Sequence, residues 1–272
     1  MRLSASFGLI SDLCAAIRVA SLPTLKAVFR KPSLVLSPAA VSSIFMAAVW
    51  SAFAAPTDEG ARPVKRSLIR HAYGAVLDIG AGLGHSIDYL DRTKVTAYIA
   101  LEPNVLMHEA IRARATAAGL REEDGTLLIL RAGAEDPEKI RALLAGAGRP
   151  QQVETMLSVM TLCSIPDPQQ TLQRLVREVL APEGRLLFYE HVLSPLADVA
   201  WWQQFWTPIW ALAFDGCCLN RPTHLWIDAM EDEGVDGERM SMWNERELWG
   251  KEGEPDEHLF WHRVGRFVKH NN

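Results

Sequence analysis

Short apolar runs alternate with helix-length amphipathic segments over most of the chain. The runs are rich in β-branched and aliphatic residues and predict strands, and the segments near 104–118, 135–145 and 168–180 predict helices. Strands separated by helices form right-handed crossovers in a parallel sheet. We therefore predict an α/β fold with a doubly wound, mostly parallel sheet. The predicted strands are 75–79, 95–101, 126–130, 153–159 and 185–190, with a weaker alternation over 259–269 indicating a final strand.

The N-terminal region has a different pattern. Residues 1–30 mix apolar and basic residues, and residues 33–55 carry no charge. Ser37 followed by Pro38 predicts an N-cap and the start of a helix ending near Ala54. A helix of about 17 residues is at the short limit for crossing a bilayer. We predict that these helices cap the main domain, with a membrane-surface anchor and a true span as alternatives.

The polar segment 56–70 contains prolines and is predicted to connect the two parts of the chain. The resulting division has N-terminal helices at 1–55, a connector at 56–70 and the main α/β domain at 71–272.

The composition excludes several classes of protein. With 272 residues, of which 49% are hydrophobic and 22% charged, the chain can bury a sizeable core, so disordered and fibrous classes are excluded. The formal net charge of -5 argues against nucleic acid as a partner, since phosphate binding needs clustered Lys and Arg. The four cysteines do not form a disulfide framework, because two are adjacent and the others lie in apolar runs. These features favour a reducing, cytoplasmic location, with association with an intracellular membrane as an alternative.

A glycine loop follows the first predicted strand and opens a helix. Its pattern is D-x-G-x-G-x-G, formed by Asp78, Gly80, Gly82 and Gly84. Glycines let the backbone turn tightly and approach a ligand closely. A nicotinamide oxidoreductase would have glycine where His85 stands, and the G-K-[ST] of a P-loop is absent. The acidic residue before the glycines suits a ligand with a cationic end, such as S-adenosylmethionine.

A second acidic residue, Glu102, closes the second predicted strand roughly 20 residues after the loop, as expected for a carboxylate that accepts the hydroxyls of a ribose. Because the order of strand, loop, helix, strand and acid is respected, the two features together indicate binding of a nucleotide-type ligand.

Five further motifs follow the glycine loop, each placed after a predicted strand or beyond the last one. They are Glu102-Pro103-Asn104, Gly133-Ala134-Glu135, Leu162-Cys163-Ser164, Glu190-His191-Val192 and Asp215-Gly216-Cys217-Cys218-Leu219. With the loop they resemble the class I S-adenosylmethionine-dependent methyltransferases. The last three motifs, in this order, resemble more narrowly the methyltransferase-like-seven group, the microsomal thiol methyltransferases, and its fungal relatives. The resemblance covers about residues 70–270.

The resemblance implies a role for particular residues. The glycine loop, with Asp78, would hold the methionine portion of S-adenosylmethionine, whose product is S-adenosylhomocysteine. Glu102, with Pro103, would bind the ribose. The adenine would lie beside Ala134 and Glu135, and the reactive end beside Val159 and Met160. That group also carries a membrane-associating N-terminal segment, for which this chain has two weaker apolar stretches.

Two residues are candidates for a base at the acceptor side. Methyl transfer from a sulfonium is an in-line displacement, so the protein mainly aligns the reactants. A phenol benefits from a general base more than a thiol, whose pKa is about 8.5. His191 is the first candidate because it follows the fifth strand at the ligand-binding edge of the sheet, and Asp215 is the second. A histidine bonded to a carbonyl and a helix-capping acid are the structural alternatives.

The segment 199–214 is rich in tryptophan. Trp202, Trp206 and Trp210 share one helical face, although Pro208 is expected to kink or break the helix. We predict that these three side chains line a pocket for a small apolar acceptor, with a core helix or a membrane-surface belt as alternatives.

No metal site is predicted, because the spaced cysteine pairs of zinc sites are absent. Cys163, Cys217 and Cys218 are expected to pack as small hydrophobic residues.

The sequence as a whole predicts a methyltransferase that acts on a small hydrophobic thiol or phenol, and it leaves the oligomeric state open. The alternatives are a non-catalytic, membrane-associated protein that binds the cofactor and, with less support, a nicotinamide oxidoreductase.

Overall fold

The computed structural model of the chain describes residues 7–233 and 238–271. Within these residues, seven strands form one sheet in the order β3-β2-β1-β4-β5-β9-β8, and β6 pairs with β7 in a small hairpin. The strands are β1 (Gly74–Ile79), β2 (Val95–Leu101), β3 (Leu127–Leu130), β4 (Val153–Val159), β5 (Leu180–His191), β6 (Glu231–Glu233), β7 (Arg239–Ser241), β8 (Trp243–Gly250) and β9 (His262–Lys269). The helices are α1 (Gly8–Arg30), α2 (Pro38–Ile69), α3 (His108–Ala117), α4 (Pro137–Gly146), α5 (Pro168–Glu178), α6 (Ala197–Ala213) and α7 (Thr223–Asp228).

The sheet is doubly wound. β1 pairs in parallel with both β2 and β4, and the chain moves outward from β1 to β3 on one side and from β4 to β5 on the other. β9 then inserts antiparallel to β5, and β8 pairs antiparallel with β9. The predicted α/β class and the final strand are confirmed, whereas β8 has no counterpart in the sequence prediction. The direction of winding reverses between β1 and β4, where open α/β sheets bind ligands.

The helix that begins at Pro38 does not end near Ala54, and residues 56–69 are not an irregular connector. α2 continues without interruption to Ile69 and contains Pro56 and Pro63. Each proline frees one carbonyl four residues earlier, and both prolines lie on the exposed side of the helix, where water can satisfy that carbonyl. The buried face, with Leu68 at its C-terminal end, packs against the sheet and outweighs the cost of the prolines.

Two other local predictions are wrong. The glycine loop opens only a short 3-10 turn at His85–Tyr89, not an α-helix. Pro208 does not break α6, because the carbonyl that this proline frees belongs to Gln204, an exposed residue. The aromatic segment is therefore a single 17-residue helix.

Helices cover both faces of the sheet. One buried cluster lies between the sheet and α4 and α5, and another lies between the sheet and the C-terminal half of α2. α1 packs on α2, and the predicted N-terminal helical region is confirmed. Residues 1–6 lie outside the described part. Both α1 and α2 are long and apolar enough to cross a membrane by length and composition, and little of either apolar stretch is buried.

Candidate active site

A cavity of about 700 Å³ lies at the carboxyl ends of β1, β2, β4 and β5. Its floor is formed by residues that follow these strands, and α2 closes it from above with Met46, Trp50 and Phe53. The segment between β8 and β9 and the loop after α6 form the remaining walls. The cavity therefore lies at the reversal point of the sheet and has the size of a small-molecule site.

Two glycines of the loop form the floor at one end of the cavity. Gly80 has φ of +64° and Gly82 has φ of +56°, a region that residues with a side chain rarely adopt. A Cβ atom on Gly80 would collide with the side chain of Thr161, and one on Gly82 would lie 2.8 Å from Nε1 of Trp50. The two glycines therefore let the loop turn tightly and let Thr161 and Trp50 pack directly against it, and both line the cavity; we call Gly80 and Gly82 the glycine cradle.

Glu102 stands beside this cradle. Its carboxylate accepts the backbone N–H of Gly82 and that of Asn104, each at 2.8 Å, and its backbone carbonyl lies 2.8 Å from His108 Nε2. Burial raises the pKa of Glu102 to about 7, although the two backbone hydrogen bonds partly oppose this. The carboxylate is thus fixed in orientation and retains lone pairs for hydroxyl groups of a ligand.

Asp78 and Gly84 do not reach the large cavity. Asp78 is buried beneath the loop, where it accepts the Tyr98 hydroxyl at 2.5 Å and lines an adjoining cavity of about 50 Å³ that shares Gly80 with the large one. Burial raises the pKa of Asp78 to about 6. A Cβ atom on Gly84 would lie 3.4 Å from the Cα atom of Ile111, so this glycine permits close packing of α3. Both residues support the loop from below.

The other residues predicted for the cofactor come together in the cavity wall. These are Pro103, Ala134, Glu135, Val159 and Met160. Met160 has φ of +58°, a conformation uncommon for a residue with a side chain and frequent at functional sites.

The turn after β4 is held by Glu190, a fully buried acid whose role was not predicted. Its carboxylate accepts the Ser158 hydroxyl at 2.8 Å and the backbone N–H of Thr161 at 3.0 Å. Burial raises the pKa of Glu190. An acidic residue that closes an apolar strand, as Glu102 does, is the sequence signal that could have revealed it.

The loop after α6 and the loop after β2 are tied to the cap. Asp215, the second candidate base, accepts the Ser42 hydroxyl at 2.7 Å, and the Asn104 amide donates to the Ser43 carbonyl at 2.9 Å. Asp215 also lies near enough to Glu102 to raise the pKa of that carboxyl slightly. It therefore lies on the side of the cavity that holds the glycine cradle.

His191 also lines the cavity and lies close to two cysteines. The ligand atoms of Cys163, His191 and Cys217 all lie within 4.8 Å of one another, and Cys217 Sγ is 3.5 Å from His191 Nε2. Contact with Cys217 and burial raise the pKa of the Cys163 thiol well above its usual value. Within the described chain, His191 Nδ1 is buried and has no hydrogen-bond partner. Fold topology brings together three residues that are far apart in sequence, and the cysteines were not predicted to share a site.

A second cluster follows β8. Glu254 accepts hydrogen bonds from the rings of His258 and His262 and, at 2.7 Å, from the backbone N–H of His262. Burial alone would raise the pKa of Glu254, but these hydrogen bonds outweigh it and lower the pKa to about 2. The His262 ring also stacks on Tyr189, with centroids 4.9 Å apart. Nothing in the irregular sequence 251–261 indicated this group.

The aromatic helix contributes one of its three predicted pocket residues. Trp210 lines the cavity and contacts Phe260, which lies opposite it. Trp202 and Trp206 lie elsewhere: both contact Phe7, and Trp206 is buried among apolar side chains. The prediction that the three tryptophans share one helical face is correct, but α1 covers the N-terminal part of that face.

Comparison with known proteins identifies the class to which this architecture belongs. A family model described as a methyltransferase domain matches residues 51–248. Among solved structures, an O-methyltransferase family protein from Burkholderia thailandensis superposes with a TM-score of 0.55 at 10% identity, covering 86% of this chain and 61% of that one. The second match is one of fold alone. The chain belongs to this methyltransferase family.

Two curated relatives are more similar in sequence. The human thiol S-methyltransferase TMT1B is 40% identical over 92 residues, which is 34% of this chain and 34% of that protein. The human thiol S-methyltransferase TMT1A is 37% identical over 70 residues, or 25% of this chain and 28% of that protein. The chain thus spans about a third of the length of the curated relatives it matches.

Proposed function

We propose that this protein transfers a methyl group from S-adenosylmethionine to the thiol of a small hydrophobic acceptor. The observation that carries the proposal is the arrangement of the cavity. Glu102 and the glycine cradle line one largely apolar cavity together with Cys163, His191 and Trp210.

The residues present fit S-adenosylmethionine. Gly80 and Gly82 line the cavity without side chains, so a ligand can approach the backbone closely, and the fixed carboxylate of Glu102 suits the two hydroxyls of a ribose. Ala134, Glu135, Val159 and Met160 line the same cavity. We propose that the first two flank the adenine and the last two contact the reactive end. When bound, S-adenosylmethionine supplies a methyl group already activated on a sulfonium. The chain's own contribution is to orient the acceptor and exclude water.

A thiol acceptor is supported ahead of a phenol by two features. The two human relatives described above are named thiol S-methyltransferases. In addition, a thiol needs little help to lose its proton, since its pKa is about 8.5 against about 10 for a phenol. His191 is therefore proposed to contact the acceptor. Asp215, bonded to Ser42, is better placed to hold α2 over the cofactor end than to deprotonate the acceptor.

We also propose that the protein lies against a membrane surface. Phe7, the residue before α1, contacts Trp202 of α6, and both helices expose large apolar side chains, including Phe29 (82% exposed) and Leu212 (88% exposed). α1 adds basic residues, a combination typical of helices that lie in the interface of a bilayer. A hydrophobic acceptor dissolved in the bilayer would reach the cavity from this side.

The test uses the purified full chain. Calorimetric titration with S-adenosylhomocysteine should show binding without any acceptor present. Incubation with S-adenosylmethionine and either thiophenol or phenol, two acceptors of one carbon skeleton, should then give faster methylation of the thiol. Folded protein that does not bind S-adenosylhomocysteine contradicts the proposal. Binding without turnover of either acceptor would instead indicate a non-catalytic, cofactor-binding protein.

A further inference from the structure

Three soft donor groups converge in the wall of the cavity. Cys163 follows β4, His191 ends β5 and Cys217 lies in the loop after α6. Cys163 and His191 are 4% and 3% exposed, and Cys217 is half-buried. All three line the large cavity. Two thiols and an imidazole are thus held together by three separate segments, with one side of the group open to the ligand space.

The spacing of these groups suits a tetrahedral metal ion. With Zn–S bonds of about 2.3 Å and Zn–N bonds of about 2.0 Å, a tetrahedral site places sulfur and nitrogen about 3.5 Å apart. Cys217 Sγ and His191 Nε2 are 3.5 Å apart, and all three ligand atoms lie within 4.8 Å of one another.

We propose that Cys163, His191 and Cys217 form a site for Zn²⁺ whose fourth position binds the sulfur of the acceptor. A set of thiolate and imidazole ligands favours Zn²⁺ over hard cations. Three protein ligands with an open fourth position are the arrangement of catalytic rather than structural zinc sites. The inference rests on the proposed thiol methyltransferase function and explains how the protein would select a thiol among apolar molecules.

The chemistry of the step balances without a further reactant. The acceptor R–SH releases its proton to solvent as its sulfur binds the ion, because a coordinated thiol is deprotonated. A sulfur electron pair then forms the new S–CH₃ bond, and the bond from the methyl group to the sulfonium breaks with its electron pair left on the departing sulfur. The products are a neutral thioether, a weaker ligand than a thiolate, and neutral S-adenosylhomocysteine.

Cobalt provides a direct measurement, since Co²⁺ in a tetrahedral site with sulfur ligands has charge-transfer and visible absorption bands. The full chain is reduced, freed of metal with a chelator and titrated with CoCl₂. The expected result is one equivalent of Co²⁺ bound with a sulfur charge-transfer band, which Zn²⁺ then displaces. Addition of thiophenol should shift the visible bands, because its sulfur enters the fourth position.

The chain offers a matched control in Cys218. This residue is adjacent to Cys217 but donates from its Sγ to the Gly216 carbonyl and lies outside the cluster. The variants C163S, H191N and C217S should each lose about tenfold or more in Co²⁺ affinity, whereas C218S should keep the wild-type spectrum. Titration of each variant with S-adenosylhomocysteine shows that it remains folded.

Two outcomes overturn the metal site. The first is a wild-type protein without the charge-transfer band, in which case the three groups are joined by hydrogen bonds only. The second is a band that survives in C163S and C217S, in which case another group binds the ion. Co²⁺ bound by Glu254, His258 and His262 would be recognised because that cluster has no sulfur.

Failure of this inference is distinguishable from failure of the proposed function. Metal-free protein that methylates thiophenol at the full rate in the presence of chelator refutes the zinc site and leaves the methyltransferase intact. If the protein binds Co²⁺ through sulfur but methylates no thiol, the metal site is supported. The proposed role of the metal ion in binding the acceptor is then contradicted.

Discussion

The backbone N–H of Gly82 donates to the carboxylate of Glu102 at 2.8 Å, and this bond joins the glycine loop to the end of the second strand. The same carboxylate accepts the Asn104 N–H, so its position is fixed before any ligand arrives. A preorganised acceptor of this kind avoids the ordering cost of binding.

Replacement of Glu102 should therefore weaken cofactor binding strongly. Hydrogen bonds to a charged group contribute about 1.5–3 kcal/mol, which corresponds to about 10- to 100-fold in affinity. We expect a loss in this range for Glu102→Ala in calorimetric titration with S-adenosylhomocysteine. Glu109→Ala, which removes an exposed acid from the first turn of α3, is the control and should bind normally. Equal affinities in the two variants would remove Glu102 from the cofactor site.

The affinity for S-adenosylhomocysteine should also depend on pH. Burial raises the pKa of Glu102 to about 7 in the free protein, and ligand hydroxyls donate to the ionised form. Affinity should therefore be constant above about pH 8 and fall as the pH drops below 7, approaching tenfold per pH unit. In the ligand-free protein, the raised pKa means that this group lowers stability as pH rises from about 4.5 to 7. Glu102→Gln should abolish the step in affinity; a step that persists belongs to another group.

The contact between Gly82 and Trp50 can be tested by a double-mutant cycle. Gly82→Ala places a Cβ atom 2.8 Å from Trp50 Nε1 and imposes a strained backbone, so it should lower both the melting temperature and the affinity for S-adenosylhomocysteine. In a Trp50→Ala background the collision is absent and only the backbone strain remains. We expect Gly82→Ala to be at least about 1 kcal/mol less destabilising there. Additive effects would mean that α2 does not press on the loop.

The acceptor end can be probed with two tryptophans of α6. Trp210 lines the cavity, whereas Trp201 is exposed on the same helix. Trp210→Ala should raise the KM for thiophenol by about tenfold, because a buried aromatic contact is lost, and should leave S-adenosylhomocysteine affinity unchanged. Trp201→Ala should change neither quantity. An unaltered KM in Trp210→Ala would place the acceptor elsewhere in the cavity.

Membrane association can be measured by flotation with vesicles of phosphatidylcholine and an anionic lipid. Leu212→Glu puts a charge on the exposed face of α6 and should reduce the bound fraction, since burying one leucine side chain contributes about 1.5–3 kcal/mol. Leu248→Glu makes the same change at an exposed leucine of β8 and should float like the wild-type protein. Equal flotation of both variants would contradict the proposed membrane surface.

The sequence by itself determined the α/β class, most of the strands and the glycine loop with Glu102. These features depend on local physics: a buried parallel strand needs a continuous apolar run, and a tight loop with positive φ needs glycine. Glu102 was found because it closes the strand next to that loop. The C-terminal end of α2 was not predictable in the same way, because Pro56 and Pro63 forbid a helix only where their freed carbonyls cannot reach water.

Tertiary structure decided which residues form the proposed acceptor side of the site. Cys163, His191 and Cys217 have no common spacing along the chain, and only the order of β4, β5 and α6 around the sheet brings them within 4.8 Å. Packing of α1 on α6 left Trp210 in the cavity and removed Trp206 from it. Periodicity identifies which face of a helix is apolar, but the partner that covers this face is fixed by contacts between residues distant in sequence.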